Sequence, residues 1–214
     1  MENLVCIYTC ESHADQLALF KSLSLYDNLI NSNHRIIEVY SGGTRTEFSD
    51  GKLICKGTES YDALSIKTYE MIDYCVKNFN FDHLIKVDCT LAYDDTTTEK
   101  WKQKFTPSAV NEFVNKSSYL DYDGIHYQNA TMLSFKSWAN RKNISTESVS
   151  ELVGSNTTNG FYTGKCYSMS KRFCEFISKR YKKSSYLYAE RYGGIEDLFI
   201  GKSYYNFRVL AKVR

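Results

Sequence analysis

The stretch that decides the fold opens the chain: Asn3-Leu4-Val5-Cys6-Ile7-Tyr8-Thr9 is an unbroken apolar run, rich in β-branched residues. A run of this length and composition predicts a strand that is buried on both faces. Ser12, with Asp15 three residues further on, predicts the start of a helix, and residues 35–40 (RIIEVY) predict a second strand. The chain therefore opens as strand, helix, strand, an order typical of α/β proteins.

The same alternation continues to about residue 90. We expect a short hairpin or loop over 44–60, a helix over 62–78 and a third buried strand at His83–Val87. Strands that alternate with helices predict βαβ units and a mainly parallel central sheet flanked by helices. Ligands of such sheets bind beyond the carboxyl ends of the strands, at the switch point. The residues that directly follow these strands are therefore the first candidates for a site.

The second half of the chain is less regular, and residues 89–160 are mostly polar. A small antiparallel element is expected from two short aromatic strands at Tyr119–Tyr122 and Ile125–Gln128. The remaining predicted elements are a strand at Gly160–Ser168, a helix at about 170–181, a basic Tyr-rich loop, a short helix after Gly193-Gly194, and a final strand at Phe207–Val213. Because no internal repeat or linker interrupts the pattern, we predict a single domain over 1–214.

Composition excludes several classes of protein. With 27 basic and 25 acidic residues, the net charge of +2 gives no reason to expect nucleic-acid binding. No run approaches the roughly 20 apolar residues of a membrane span. Seven cysteines without a CxxC pair indicate reduced thiols rather than a zinc site or a disulfide framework, which favours the cytoplasm. A Rossmann dinucleotide enzyme is disfavoured, because no G-x-G-x-x-G follows the first strand.

Two clusters carry candidate chemistry, one at the end of the third predicted strand and one within the predicted strand Gly160–Ser168. In Lys86-Val87-Asp88-Cys89-Thr90, an acid just past a buried strand suits a ribose hydroxyl or a metal–diphosphate group. An ordinary aspartate that begins a turn is the alternative. In Gly160–Ser168, glycines allow close backbone approach, aromatic rings can stack on a sugar or base, and Lys165 can approach phosphate. A strand bounded by glycines is the alternative there.

The third cluster is Gly193-Gly194-Ile195-Glu196-Asp197, which opens an apolar helix. Acids in a first turn stabilise a helix through its dipole, and one acid is enough for that purpose. A carboxylate on a glycine loop can instead act as a general base if it faces a cleft.

In order and spacing, these clusters resemble inverting GT-A glycosyltransferases of family 31, the β-1,3-galactosyltransferase and fringe type. The resemblance spans about 60 to 201. The first segment is Asp62-Ala63-Leu64-Ser65-Ile66-Lys67-Thr68, which is similar to the family's D-x-x-N-L-T-x-K-T helix. Lys86–Thr90 is similar to the family's K-x-D-D-D motif, and Gly160–Ser170 is similar to its glycine- and aromatic-containing strand. The last segment, Glu196-Asp197-Leu198-Phe199-Ile200-Gly201, is similar to the family's E-D-V-x-x-G motif.

The resemblance implies a GT-A-like nucleotide-sugar fold, with a nucleotide-binding half over 1–90 and an acceptor-binding and catalytic half over 91–214. It implies transfer of a sugar from a nucleotide donor, a UDP-sugar, to a hydroxyl of a glycan or glycoprotein acceptor. Asp197 is then the catalytic base, and Glu196 is the second candidate. The implied donor-binding residues are Thr9, Cys10, Glu11, Lys67, Asp88, Gly164 and Lys165.

The resemblance also implies a divalent cation, Mn²⁺ or Mg²⁺, with Asp88 in its ligand shell. The family's aspartate triplet reads Asp88-Cys89-Thr90 in this chain. Thr90 is neutral and therefore a poorer ligand for a hard cation, which prefers carboxylates and waters. Asp94 or Asp95 can supply a shifted carboxylate, or Lys165 can offset the diphosphate charge without a metal.

Three further expectations remain. A retaining GT-A transferase, which needs no general base, and a non-catalytic nucleotide-sugar or carbohydrate-binding module are the alternative functions. The unanchored N-terminus favours a bacterial or large-virus member, or an excised catalytic domain, and we expect the chain in the cytoplasm, the host cytoplasm if viral. Acceptor contacts are expected in the polar region 92–158, from Tyr119, Tyr122, His126, Tyr127 and Trp138.

Overall fold

A computed structural model describes residues 2–92, 105–116, 119–129, 160–180, 192 and 194–211. Within these residues the strands are β1 Asn3–Tyr8, β2 Arg35–Gly43, β3 Glu47–Ser49, β4 Lys52–Lys56, β5 His83–Asp88, β6 Tyr122–Gly124, β7 Tyr127–Asn129, β8 Gly160–Tyr162 and β9 Cys166–Ser170. The helices are α1 Ala14–Lys21, α2 Ser24–Ile30, α3 Leu64–Asn78, α4 Pro107–Val114, α5 Lys171–Arg180 and α6 Glu196–Ala211. Single 3-10 turns lie at Glu11–His13, Tyr61–Ala63 and Cys89–Ala92.

Seven strands form one mixed sheet in the order β3-β4-β2-β1-β5-β9-β6, and β7 pairs with β8 in a separate antiparallel ribbon. The four adjacent strands β4, β2, β1 and β5 are mutually parallel, whereas β3 and β9 run against them. The predicted α/β class is thereby confirmed, with its mainly parallel sheet and flanking helices. A small antiparallel element is also present, but it is not formed by the strands expected at Tyr119–Tyr122 and Ile125–Gln128: β7 pairs with β8, whereas β6 joins the main sheet beside β9.

The topology places a switch point at the carboxyl ends of β1 and β5. The chain leaves β1 through α1 and α2 to reach β2 on one side, and it returns through α3 to β5 on the other side. Tyr8, the last residue of β1, is paired with Asp88, the last residue of β5. The segments that follow the two strands therefore leave the sheet side by side, where open parallel sheets bind ligands.

Alternation along the central strands divides the core between the two faces of the sheet. Leu4 and Cys6 of β1 belong to a buried cluster with α3, α5 and α6, whereas Val5 and Ile7 belong to one with α1, α2 and α4. Each cluster is made of side chains that are almost fully removed from water, which is the main stabilising contribution to such a fold. The two-sided burial explains why β1 reads as a continuous apolar run.

The chain's single proline has a structural place. Pro107 is the first residue of α4, and the Thr106 hydroxyl caps that helix by accepting a hydrogen bond from the Ala109 backbone N–H at 3.2 Å. Proline suits this position because its fixed φ is helical and its missing N–H is not needed there.

The predicted final strand at Phe207–Val213 is wrong, because helix α6 runs without a break from Glu196 to Ala211. The Phe207 ring packs 5.4 Å from the rings of Phe173 and Phe176 on α5, and Tyr204, three residues earlier on α6, packs 5.3 Å from the same Phe173 ring, which is the spacing of one helical face. A short apolar run does not distinguish a strand from a buried helical segment by composition alone.

Other boundaries also differ from those predicted. The strand expected at Gly160–Ser168 is two strands, β8 and β9, which are separated by a turn at residues 163–165. The helix expected after Ser12 is preceded by a 3-10 turn and is divided into α1 and α2 at Ser22-Leu23. The loop at 44–60 contains a hairpin, with Asp50 and Gly51 at positive φ in its turn.

The seven cysteines all lie in the described residues, and each is a free thiol, as their spacing predicts. Of the helices in these parts of the chain, none combines the length and the apolar character needed to cross a bilayer.

Candidate functional site

The end of β1 carries the first group of predicted donor-binding residues. Thr9 is buried, Cys10 is half-buried, and Glu11 is exposed in the 3-10 turn that follows the strand. Thr9 is held on the sheet by a hydrogen bond from its backbone N–H to the Val39 carbonyl at 3.1 Å. The backbone is therefore fixed to the sheet at Thr9, whereas Glu11 is exposed to solvent.

Lys67 lies beneath this segment and fixes it. Its ammonium donates to the Thr9 carbonyl at 2.5 Å and forms an ion pair with Glu59 at 3.3 Å. The side chain is only 3% exposed. Lys67 therefore joins helix α3 to the carboxyl end of β1 and fixes the backbone at Thr9.

Asp88 ends β5 and is held by a local set of hydrogen bonds. Its Oδ1 accepts from the Thr90 backbone N–H at 2.9 Å and from the Thr90 hydroxyl at 2.8 Å. Burial alone would raise the pKa of Asp88, but the charges of Lys165 and Lys86 and the two bonds from Thr90 hold it below its usual range. Asp88 is therefore a fixed anion at neutral pH.

The turn at residues 163–165 joins Asp88 to the start of helix α6. The Lys165 carbonyl accepts from the Asp88 backbone N–H at 2.9 Å, and the Lys165 ammonium donates to the Thr90 hydroxyl at 2.7 Å. The neighbouring Gly164 accepts a hydrogen bond from Lys86 through its carbonyl and makes a backbone hydrogen bond to Asp197. Gly164, Lys165, Asp88 and Asp197 are thus brought to one place.

Gly164 is required here for close packing. A Cβ at this position would lie 2.5 Å from Glu196 Oε1, a distance that real Cβ atoms do not adopt. The sequence predicted that this glycine allows close approach of a ligand. The structure shows close approach of the Glu196 side chain.

Glu196 is enclosed by protein groups. Its Oε1 lies 2.6 Å from the Lys86 ammonium, and its Oε2 accepts from the Tyr167 hydroxyl at 2.7 Å and contacts the Thr68 hydroxyl at 3.4 Å. Burial and the charge of Glu196 raise the pKa of Tyr167, so its hydroxyl stays protonated and donates. Both carboxylate oxygens are engaged, which makes Glu196 a structural anchor rather than a base that meets solvent.

Asp197, one residue further on, has a different environment. It is half-buried, and its Oδ1 accepts from the Leu198 backbone N–H at 2.9 Å. Burial, together with the nearby charge of Glu196, raises the pKa of the Asp197 carboxyl to about 7. A carboxyl with this pKa exchanges a proton readily near neutral pH, as a general base must.

The two aspartates of the site therefore differ in protonation. Asp88 remains ionised, whereas Asp197 is poised between its charged and neutral forms. Pairs of carboxyls whose environments push their pKa values apart are typical of sites that need one fixed anion and one proton acceptor. Cys89 lies between Asp88 and Thr90 in the sequence. Burial raises the pKa of its thiol to about 11, so thiol chemistry is not indicated.

Sequence reasoning missed the side chains that support this pair. Lys86, Tyr167, Tyr8 and Thr68 surround Glu196, with the Lys86 ammonium 4.5 Å from the centre of the Tyr8 ring. The available signal was a lysine at an inward position of a buried strand, since such a charge requires a buried partner. Tyr61 was also missed. Its ring packs against Gly194, where a Cβ would lie 2.4 Å from it.

The described residues provide few ligands for the divalent cation that the resemblance implies. They contain no group of three or more His, Cys, Asp or Glu side chains placed to hold a metal ion. The oxygen at the expected second ligand position, the Thr90 hydroxyl, is bonded to Asp88 and to the Lys165 ammonium. Asp94 and Asp95, the alternative carboxylates, lie outside the described residues.

An aromatic groove lies further along helix α6. It encloses about 370 Å³, and its walls include Tyr122, Tyr127, Tyr162, Tyr204, Tyr205 and Arg208. Tyr122 holds β8 in place, because its hydroxyl accepts from the Tyr162 backbone N–H at 3.0 Å. Tyr127 and Tyr205 are about half exposed at the rim.

The predicted acceptor residues separate into different environments. Tyr122 and Tyr127 line the aromatic groove. Tyr119 instead donates to the Phe113 carbonyl at 2.8 Å and packs on α4, whereas His126 is half-buried. Trp138 lies outside the described residues.

Comparison with known proteins gives no relative: no family model matches the chain, and no curated protein matches its sequence.

Proposed function

We propose that this chain is a glycosyltransferase with a GT-A-like fold, which moves a sugar from a nucleotide donor, a UDP-sugar, to a hydroxyl of a glycan or glycoprotein with inversion. The observation that carries the proposal is the pair Asp88 and Asp197. One is ionised and the other has a pKa of about 7, and the turn at 163–165 connects them at the switch point of the sheet.

The donor occupies the carboxyl ends of β1 and β5 in this proposal. The nucleobase of the donor lies near Thr9, Cys10 and Glu11. The ribose hydroxyls contact Asp88, a fixed anion that accepts hydrogen bonds. The diphosphate then extends toward the turn that contains Gly164 and Lys165. The open, parallel part of the sheet supports this placement.

The chemical step is a single displacement. The acceptor oxygen attacks the anomeric carbon while the bond from that carbon to the phosphate oxygen breaks, and the electron pair stays on the leaving diphosphate. Asp197 takes the proton of the attacking hydroxyl. A base contributes most when its pKa lies near the working pH, which the burial of Asp197 provides. Glu196 positions Asp197 through its bond to Lys86.

The aromatic groove supports a carbohydrate acceptor. Tyr204 and Arg208 lie seven and eleven residues after Asp197 on α6, so all three occupy one face of the helix. At about 1.5 Å per residue, Tyr204 is roughly 10 Å along the axis from Asp197. Tyrosine rings stack on the apolar faces of sugars and their hydroxyls form hydrogen bonds, so this groove suits the sugars behind the reacting one.

The test is substitution of the proposed base. Asp197→Asn keeps the size and local hydrogen bonding of the side chain but cannot accept the proton. We expect transfer and donor hydrolysis to fall by roughly three orders of magnitude, while UDP binding changes less than about threefold. Asp27→Asn, which alters an exposed first-turn acid of α2, serves as the control. Near-wild-type turnover of Asp197→Asn would remove this residue from the mechanism.

A non-catalytic nucleotide-sugar or carbohydrate-binding module is the second candidate, favoured by the neutral Thr90 in the strand-end motif. Calorimetry with UDP-sugars, with and without Mn²⁺, followed by an assay for released UDP, distinguishes the two. Binding without release under every condition favours the module, whereas release favours the enzyme. A retaining transferase is distinguished by the anomeric configuration of the product.

A further inference from the structure

The strand-end motif contains a lysine contact where the resembling family has a carboxylate. The Thr90 hydroxyl donates to Asp88 Oδ1 at 2.8 Å, and the Thr90 hydroxyl oxygen accepts from the Lys165 ammonium at 2.7 Å. An ammonium thus lies against the oxygen that, in an aspartate triplet, would belong to a metal-binding carboxylate.

The position of Lys165 is fixed by the main chain. Its carbonyl accepts from the Asp88 backbone N–H at 2.9 Å, so the residue is anchored beside the end of β5. Lys165 is also the residue directly before β9, whose pairing with β5 begins at Val87 and Cys166. The backbone of Lys165 is therefore fixed at the switch point by β5 and β9, and its ammonium is held there with it.

A divalent cation at this oxygen is disfavoured by charge and by coordination. Bound at about 2.1–2.6 Å from Thr90, it would lie within about 5 Å of the ammonium, where like charges repel. A hydroxyl that already donates to one group and accepts from another is also a poor ligand for a hard cation.

We propose that Lys165 takes the place of the divalent cation and offsets the charge of a nucleoside diphosphate, so that donor binding is independent of metal. This inference rests on the proposed function, because it assigns the diphosphate of the donor to this end of the sheet. In the displacement, Lys165 stabilises the negative charge that develops on the leaving phosphate oxygen. It transfers no proton.

The experiment is calorimetry of the full chain with UDP, and with GDP as a second probe, in EDTA and in Mn²⁺. We expect the dissociation constant to agree within about twofold between the two conditions, and Lys165→Met to weaken binding roughly thirtyfold. Lys165→Arg, which keeps the charge, should remain within about fivefold of wild type. Lys171→Met, at the opposite end of β9, is the matched control and should bind normally.

A double variant tests in the opposite direction whether Lys165 replaces a divalent cation. Thr90→Asp combined with Lys165→Ser restores a second carboxylate and removes the ammonium, so UDP binding should become dependent on Mn²⁺. Circular dichroism confirms that each variant is folded.

The two proposals fail differently. If wild-type UDP binding is lost in EDTA and restored by Mn²⁺, the role of Lys165 is overturned while the proposed transferase stands. If Lys165→Met binds as wild type, the role is likewise overturned. If neither nucleotide binds in either condition, both proposals are wrong.

Discussion

The Lys86 ammonium lies 2.6 Å from Glu196 Oε1, and neither side chain is more than 5% exposed. Burial alone would lower the pKa of Lys86, but the charges of Glu196, Asp88 and Asp197 raise it, so the lysine is charged. This pair joins the middle of β5 to the first residue of α6, and it therefore sets where Asp197 stands.

Breaking this pair on one side should be costly. Glu196→Gln leaves a buried ammonium without its counter-charge, and we expect the free energy of unfolding to fall by about 3 kcal/mol in urea titrations. The double variant Lys86→Met/Glu196→Gln should lose clearly less than the sum of the two single variants. The exposed pair of Lys179 and Glu175, treated in the same way, should change stability by less than about 1 kcal/mol. Strict additivity at the buried pair would contradict this account.

The two aspartates should affect stability with opposite dependence on pH. The folded-state pKa of Asp197 is raised to about 7, so the folded chain holds a proton that the unfolded chain releases, and stability falls as pH rises from about 4 to 7. Asp197→Asn removes this effect. It should gain stability over wild type by about 2 kcal/mol at pH 7, allowing for partial exposure, and gain little at pH 4.

Asp88 gives the opposite sign. Its lowered pKa contributes stability above the unfolded value, and that contribution is lost as pH falls through the folded value. Asp88→Asn should therefore be less stable than wild type at neutral pH, with a difference that shrinks in acid. Thermal unfolding of both variants across this range measures the slopes, and slopes of the same sign would show that one assignment is wrong.

Activity should follow the ionisation of Asp197. If it accepts the proton, kcat/KM for transfer should rise with pH and level off with an apparent pKa of about 7. Below that value the rate should fall about tenfold per pH unit. Initial rates of UDP release give the profile, and UDP affinity measured in the same buffers separates binding from chemistry. A rate that is flat between about pH 5.5 and 8.5 would exclude an ionising base with this pKa.

The aromatic groove should affect the acceptor and leave the donor unchanged. We expect Tyr205→Ala and Arg208→Ala each to raise KM for an oligosaccharide acceptor roughly tenfold, because they remove a stacking surface and a cationic donor. Leu210→Ala, on the same helix outside the groove lining, and Arg35→Ala, on β2, are the controls. Equal effects in the controls, or a change in the KM for the donor, would argue against an acceptor role.

The N-cap of α4 gives a test that is independent of function. Thr106→Ala removes the acceptor for the Ala109 N–H and should lower the free energy of unfolding by about 1 kcal/mol. Thr106→Ser keeps a hydroxyl acceptor and should retain most of the stabilisation that the cap provides. Ser108→Ala, at an exposed position of the same helix, should change it by less than about 0.5 kcal/mol.

Much of the fold was accessible from the sequence because its signals are local. The apolar run at β1 and the alternation of strands and helices predicted a parallel sheet with its site at the carboxyl ends of β1 and β5. The failed element, the strand at Phe207–Val213, is one whose conformation depends on packing against the phenylalanines of α5. The residue types of this segment are compatible with a strand and with a helix.

The sequence by itself determined which strands are buried and that Asp88, Glu196 and Asp197 stand at the ends of predicted elements, whereas it placed Lys165 inside a predicted strand. Only the tertiary structure decided their roles. Glu196 meets Lys86 across 110 residues, and Lys165 meets Thr90 across 75. The ionisation of these groups depends on burial and on charges that the fold brings together from distant positions, and no local pattern contains that information.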